Sequence, residues 1–330
     1  MVIQMTRRQL CEFFVASCVK DGGVYRFRLY EDGGLEMRQK IPMNSPMYIQ
    51  LNKNRLWAVL RAPFLNSNQS GVAAYDASTG KQITEIFSTK GEVACHIAVE
   101  EDDAYCANYV DGSVIKLSDR LEVHMGSGMD PVRQNCPHVH SVCFSPDKQF
   151  VLSCDLGLDT VFVYDRDLKL VSTAKVPDGA GARHLVFSKD GKFVYVMNEM
   201  GGSISIFSYQ FGALEYVDTL SVLPSAFSGI GSGAAIKLSA DGTRLYVTER
   251  ATQSIITLSV NGVHLKILTR TDCKGKEPRD FTLLADDRFA VCTNQFDNTM
   301  ALFRISPEGI PVFFTQVQID SPLCAVEIDG

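Results

Sequence analysis

The stretch GARHLVFSKDGKFVYVMNEMGGSISIFSY, Gly181–Tyr209, decides the fold. Two apolar runs, HLVF and FVYVM, flank a Lys-Asp-Gly turn, and a third run, ISIF, follows a second turn at Gly201–Gly202. Val, Ile, Phe and Tyr between Asp-Gly-type turns read as strand, turn, strand, turn, strand. Polar groups mark the outer ends of the first hairpin. Arg183 and His184 enter its first strand, and Asn198 and Glu199 leave its second. The two strands run antiparallel, so all four residues share one end.

The same pattern recurs along the chain. HSVCFSPDKQFVLSCDLGLDTVFVYD starts at His140, AAIKLSADGTRLYVTERATQSIITLSV at Ala234 and RDFTLLADDRFAVCTNQFDNTMALFRI at Arg279. Weaker copies are CHIAVEEDDAYCANYVDGSVIKLS at Cys95 and YIQLNKNRLWAVL at Tyr48. Aligned on the apolar residue before each turn, the copies fall at Leu51, Val99, Phe144, Phe187, Leu238 and Leu283. Their spacing of 43 to 51 residues is that of propeller blades.

The second strand of each copy is apolar on both faces and is expected between neighbouring blades. The third alternates, as in Ser203, Ile204, Ser205 and Ile206, and is expected further out with one wetter face. Helix-period segments are absent. A flat sheet of this many strands is unfavourable, whereas a radial array leaves only short, protected edges. CEFFVASC and GVYRFRLYEDGGLEM supply strands of one more blade at the N-terminus, and PLCAVEI at the C-terminus is its innermost strand. The prediction is an all-β, seven-bladed β-propeller of four-stranded antiparallel blades. It forms a single domain over residues 1–330, with the ring closed by N- and C-terminal strands in one blade.

Composition narrows the function. The formal net charge is −6 with no Lys/Arg block, which argues against nucleic acid or an anionic membrane as partner. The ten Cys show no C-x-x-C and no zinc spacing, and most lie in apolar runs. Buried reduced thiols in a reducing compartment are expected. MVIQMTRRQLCEFFVAS lacks the long apolar core and cleavage site of a signal peptide, and no run reaches transmembrane length. A soluble, cytoplasmic protein is expected.

The strand-direction rule gathers polar residues from successive copies on one rim of the channel. His96 comes with Asn108 and Tyr109, His138 and His140 with Asp155, and Arg183 with Glu199. Arg250 follows, then Arg279 with Asn294 and Gln295. The opposite ends carry only turn residues. Arginine forks suit a carboxylate or phosphate, and a carboxylate beside a His supplies a general acid/base. No G-x-S-x-G, evident catalytic Cys or Gly-rich phosphate loop is present. The expected chemistry is proton transfer and water activation on a small anionic molecule, with Arg also stabilising an oxyanion. No cofactor is expected. The rim has too few carboxylates for calcium or magnesium, so no metal is expected either.

Structural roles compete at several positions. Arg183 and Glu199 could form a rim ion pair, and Arg250 could pair with Glu249 or Asp241. Asp155 and Asp159 are expected to cap turns. On a regular strand His184 points away from Arg183, against a neighbour. The single Trp57 lies in a strand-like run away from the rim.

PHVHSVCFSPDKQFVLSCDLGLDTVFVYD, GARHLVFSKDGKFVYVMNE, LYVTER, EPRDF and CHIAVEEDDAYCANYVDGSV resemble the seven-bladed propeller lactonase family. That family includes bacterial 6-phosphogluconolactonases and the fungal carboxy-muconate cyclase. The similarity runs from about Gly71 to Ile305 and more weakly to both ends. The resemblance implies a catalytic set of His140, Arg183, Glu199 and Arg250. His96, His138, Arg279, Asn294 and Gln295 are expected to contact substrate. Two departures stand out. The family's usual G-P-R-H is GARH here, and Ala234 and Ala235 replace a His often found entering that blade.

The implied function is hydrolysis of a small anionic sugar lactone, 6-phosphoglucono-1,5-lactone first. A cycloisomerase, or a lactonase for another anionic lactone, would use the same groups. A non-catalytic binding propeller is the alternative from another class, since the fold alone licenses no activity.

Overall fold

Seven four-stranded antiparallel sheets follow one another along the chain. The first contains β1 (Gln9–Ser17), β2 (Gly23–Tyr30) and β3 (Leu35–Pro42). The second contains β4 (Pro46–Asn52), β5 (Arg55–Leu60), β6 (Gln69–Asp76) and β7 (Phe87–Glu92). Next come β8 (Ala94–Glu100), β9 (Asp103–Asn108), β10 (Ser113–Lys116) and β11 (Arg120–Val123). The fourth sheet holds β12 (Val139–Phe144), β13 (Phe150–Asp155), β14 (Thr160–Asp165) and β15 (Leu170–Lys175). The fifth holds β16 (Ala182–Phe187), β17 (Phe193–Asn198), β18 (Ser203–Gln210) and β19 (Ala213–Ser221). The sixth holds β20 (Gly233–Leu238), β21 (Arg244–Glu249), β22 (Ser254–Asn261) and β23 (His264–Asp272). The seventh holds β24 (Pro278–Leu284), β25 (Phe289–Asn294), β26 (Thr299–Ile305) and β27 (Pro311–Gln318). Last, β28 (Pro322–Ile328) returns to pair antiparallel with β1 and completes the first sheet. This computed structural model describes residues 7–117 and 120–328, and no helix occurs among the described residues.

The sheets are the blades of a propeller. Strands β4, β8, β12, β16, β20, β24 and β28 each touch the next in a closed ring around the axis. The predicted closure is therefore present, with the C-terminal strand innermost in the N-terminal blade. Seven hydrophobic clusters fill the spaces between blades, one per interface. Leu152, Val161 and Val163 of the fourth blade, for example, meet Leu185, Val194 and Val196 of the fifth. Trp57 is buried in β5 between the second and third blades.

The hairpin turns explain the sequence pattern at the far end of the axis. Ser188 Oγ donates to Asp190 Oδ1 at 2.7 Å and accepts the Phe193 N–H at 3.0 Å. Gly191 completes that turn at φ 72°, a left-handed conformation that costs glycine nothing. The FSPD and LSAD turns repeat it, with Ser145 on Asp147 and Ser239 on Asp241.

One expectation fails. The third strands β18 and β22 are largely buried, and the alternating, wetter pattern belongs to a fourth strand, β23, whose residues switch between exposed and half-buried throughout its length. Ser203 and Ser205 are satisfied inside the blade because both accept hydrogen bonds from the Asn198 amide, at 3.0 and 2.8 Å. Their polarity therefore does not require solvent.

Candidate active site

A recurring bulge builds the floor of the site. Where each inner strand begins, its pairing with the second strand of the blade skips, and an unpaired residue is left over. The skips lie between Pro46 and Tyr48, Ala94 and His96, Val139 and Ser141, Ala182 and His184, and Pro278 and Asp280. In the sixth blade the skip runs from Gly233 to Ile236, and in the first it leaves out Leu323. The omitted residues Met47, Cys95, His140, Arg183, Arg279 and Leu323 all line one cavity on the axis, with Tyr48, His184 and Asp280.

The bulge corrects the expectation for His184. With Arg183 unpaired, two successive residues face the channel, and the His184 ring lies 5.3 Å from that of His140 and 5.1 Å from that of His96.

A second tier sits above this floor. Cys18, Arg61, Tyr109, Leu156, Glu199, Arg250 and Gln295 each follow the last residue of a second strand. In every blade the backbone N–H of this residue donates to a carbonyl at the entry of the inner strand, at 2.7 to 3.2 Å. These bonds hold the upper tier directly over the bulges.

Glu199 is the centre of the constellation. Its Oε2 is 3.0 Å from Arg183 Nε and 3.0 Å from Arg250 Nη2, and its Oε1 accepts from Arg133 Nη2 at 2.5 Å. Burial pushes its carboxyl up, but Arg250 and Arg183 outweigh that and hold it far below the usual carboxylate range. Arg183, fully buried, also donates through Nη1 to the Ala234 carbonyl at 2.6 Å. Arg250 Nη1 binds Glu277 at 2.9 Å, and its Nε donates to the Ser232 carbonyl at 3.1 Å. It pairs with neither Glu249 nor Asp241. Glu249 is occupied with the backbone N–H groups of Ser232 and Thr252.

His140 Nε2 stands 3.9 Å from Glu199 Oε2. Burial, reinforced by Arg183, pushes its imidazole well below the ordinary value, so the ring is neutral. Cys95 lies behind it, with Sγ 3.2 Å from the His140 carbonyl oxygen. Burial pushes that thiol up to about 12, which makes it an unreactive group here. Arg279 lines the cavity and lies 3.9 Å from Glu277, the loosest ion pair of the rim arginines. Deeper in the channel, Lys237 pairs with Asp280 at 3.4 Å.

His140, Arg183, Glu199 and Arg250 thus meet in one group, with Arg279 beside them. The other candidates lie elsewhere. His96 is deeper in the channel, its ring against Tyr48 at 4.1 Å. His138 is stacked on Tyr109 at 4.5 Å and its Nδ1 meets the Tyr109 carbonyl. Asn294 is fully buried and ties the Cys273 carbonyl to Thr299, the blade-internal role that Asn198 has in the fifth blade. Gln295 is on the upper tier, 3.4 Å from the Ser321 hydroxyl.

Asp155 and Asp159 accept backbone N–H groups of turns, as expected: Leu158 for the first, Gly179 and Gly181 for the second. Among the described residues no group of three His, Cys, Asp or Glu side chains converges in a metal-holding arrangement. Arg133 escaped the sequence reading, because it comes from a connection between blades rather than from the repeat.

Comparison with known proteins agrees with this fold. An uncharacterized protein of Staphylococcus aureus (strain bovine RF122 / ET3-1) is 28% identical, covering 88% of this chain and 96% of its own. The periplasmic gluconolactonase of Pseudomonas aeruginosa superposes with a TM-score of 0.85 at 25% identity, over 96% of this chain and 99% of its own. A candidate 6-phosphogluconolactonase from Bacteroides fragilis NCTC 9343 shares the fold, with a TM-score of 0.87 at 24% identity over 97% and 98% of the two chains. The family model described as "Lactonase, 7-bladed beta-propeller" matches residues 12–326, and the chain belongs to that family.

Proposed function

We propose that this protein hydrolyses a small anionic lactone at the channel mouth, with 6-phosphoglucono-1,5-lactone as its first substrate. One observation carries this reading. A buried carboxylate, Glu199, is bound by three arginines beside a neutral imidazole, His140. The similarity to the Pseudomonas aeruginosa gluconolactonase supports a sugar lactone.

The enclosed space at the floor is only ≈ 20 Å³, about the room one water needs. The lactone ring therefore rests on the bulge residues rather than entering the channel. Arg279 and the half-exposed Arg133 hold the substrate's anion, since Arg183 and Arg250 are buried below them.

His140 Nε2 takes a proton from water as the water oxygen attacks the lactone carbonyl. The oxyanion that forms is stabilised by the Arg183 guanidinium. The tetrahedral intermediate then breaks its ring C–O bond, and the departing oxygen takes the proton back from His140. The new carboxylic acid ionises and releases one proton to solvent. In this scheme both Glu199 oxygens are engaged by guanidinium groups, which leaves His140 Nε2 as the first proton acceptor. Glu199 holds the arginines in place and stabilises the transient imidazolium. A cytosolic setting goes with this reading, since all ten cysteines are unpaired.

The test is hydrolysis of freshly generated 6-phosphogluconolactone against its spontaneous opening, with His140→Asn and Glu199→Gln as comparisons. Turnover well above background, reduced about 10²-fold or more in His140→Asn, supports the assignment. Equal rates in the wild type and His140→Asn would overturn the role of His140. No turnover by a folded protein would remove the sugar phosphate as substrate.

A further inference from the structure

A neutral imidazole carries its one proton on either ring nitrogen, and the partners on each side decide which. His140 can take a proton from water at Nε2 only if its own proton is on Nδ1. The ring is buried, so protein atoms make the choice. On the Nε2 side the facing carboxylate is Glu199. Its Oε2 is 3.9 Å away, beyond hydrogen-bond reach for nitrogen and oxygen.

On the Nδ1 side the facing atom is Cys95 Sγ, also at 3.9 Å. Sulfur is the larger atom, and at this separation it still serves as a weak acceptor. Cys95 and His140 are the residues left out of the strand pairing in the third and fourth blades, so two neighbouring bulges bring them together. The thiol is oriented as well. Its Sγ lies 3.2 Å from the His140 carbonyl oxygen and 3.7 Å from that of Val139. The S–H therefore donates to the backbone, and the sulfur lone pairs are left for the ring. The Tyr109 ring at 5.5 Å and the His184 ring at 5.3 Å, both steeply inclined, pack around the imidazole and restrict its rotation. In hydrolytic triads a carboxylate behind the imidazole sets its tautomer. Here a thiol has that place, and the carboxylate lies on the opposite side.

We propose that Cys95 is a positioning residue, which accepts from His140 Nδ1 and thereby keeps Nε2 free for the attacking water. The inference rests on His140 as the base in lactone hydrolysis, but the tautomer is readable without substrate. When Nε2 takes the proton from water, the imidazolium keeps its Nδ1–H toward the sulfur. Glu199 supplies the opposing charge.

The experiment reads the ring nitrogens of His140 by proton–nitrogen correlation spectra at neutral pH, in protein whose histidines carry the heavy nitrogen isotope. His140→Asn assigns the signals. Wild type, Cys95→Ala and Cys95→Ser are compared, with folding checked by circular dichroism and kcat measured on 6-phosphogluconolactone. The expected result is an Nδ1–H ring in the wild type. In Cys95→Ala the proton shifts toward Nε2, and kcat falls about 3- to 10-fold with KM unchanged. Cys95→Ser, whose hydroxyl again offers an acceptor, recovers both. An Nε2–H ring in the wild type overturns the proposal, and so does a Cys95→Ala protein whose ring keeps its Nδ1 proton. A shift that leaves kcat unchanged also overturns it. If the proton shifts but no form of the protein opens the lactone, the hydrolase reading falls and the positioning of His140 stands.

Discussion

Arg133 Nη2 lies 2.5 Å from Glu199 Oε1, joining a loop between the third and fourth blades to the end of a strand in the fifth. Its side chain is 45% exposed, whereas those of Arg183 and Arg250 are buried. One of the three cations on this carboxylate therefore faces the solvent from which substrate arrives.

Removing Arg133 separates binding from folding. Arg133→Ala leaves buried Glu199 with two guanidinium partners and deletes a charge-assisted hydrogen bond from a half-exposed side chain, so stability should fall by about 1–3 kcal/mol. Its loss from the substrate's anion should lower kcat/KM about 10- to 100-fold, mainly through KM. Urea denaturation and steady-state kinetics on the same preparation check both. An unchanged KM would remove Arg133 from the binding surface.

Arg183→Lys keeps the charge but not the fork. Arg183 reaches Glu199 through Nε and the Ala234 carbonyl through Nη1, two directions that an ammonium on a single stem does not reproduce. The variant should fold, as read by circular dichroism, and lose about 10²–10³ in kcat. Retention of the full rate would show that this guanidinium does not face the developing oxyanion.

The channel histidines should make the protein acid-labile above the carboxylate range. Burial pushes His96 down to about 3, aided by Lys237 and Arg183, and pushes His140 and His184 well below the ordinary value. The charged groups facing them are Arg183, Arg279 and Lys237, with Glu199 the opposing carboxylate nearest His140. Below pH about 6.5 the unfolded chain binds protons at these rings while the folded chain does not. Stability is therefore full above that pH and falls as pH drops toward the folded values, by about 1 kcal/mol per unit for each ring. Urea midpoints at pH 7.5 and pH 5 should differ clearly. Equal midpoints would mean that the rings are solvated or protonated in the native state.

Ring closure should be indispensable. β28 supplies Leu323, Cys324 and Ala325 to three different inter-blade clusters, and the Ala325 N–H donates to buried Asp280. Deleting residues 322–330 exposes the inner edge of β1 and uncovers the apolar faces packed against β28 from β4 and β24. The truncated chain should lose its cooperative unfolding transition, and a sharp transition near the full-length midpoint would contradict the closure.

Much of this protein is readable without coordinates because its local order repeats. Blade number, the pairing of first and last strands, and the Ser-x-Asp turns all come from short-range rules, namely strand alternation, turn chemistry and antiparallel direction. The same rules placed His140, Arg183, Glu199 and Arg250 on one rim, since residues at the shared end of a hairpin stay together whatever surrounds them. They missed wherever a contact depends on side-chain partners. Asn294 shares that end too, but its amide is used up inside the blade. His184 faces the channel because a bulge shifts the alternation by one residue.

Tertiary structure alone decided which charges meet. That three arginines converge on Glu199, holding it well below the usual carboxylate range beside a neutral His140, depends on blades and a loop far apart in the chain. Strand periodicity is a property of neighbouring residues and is written locally. Ion pairing and burial depend on distances across the ring, which exist only once the blades have closed.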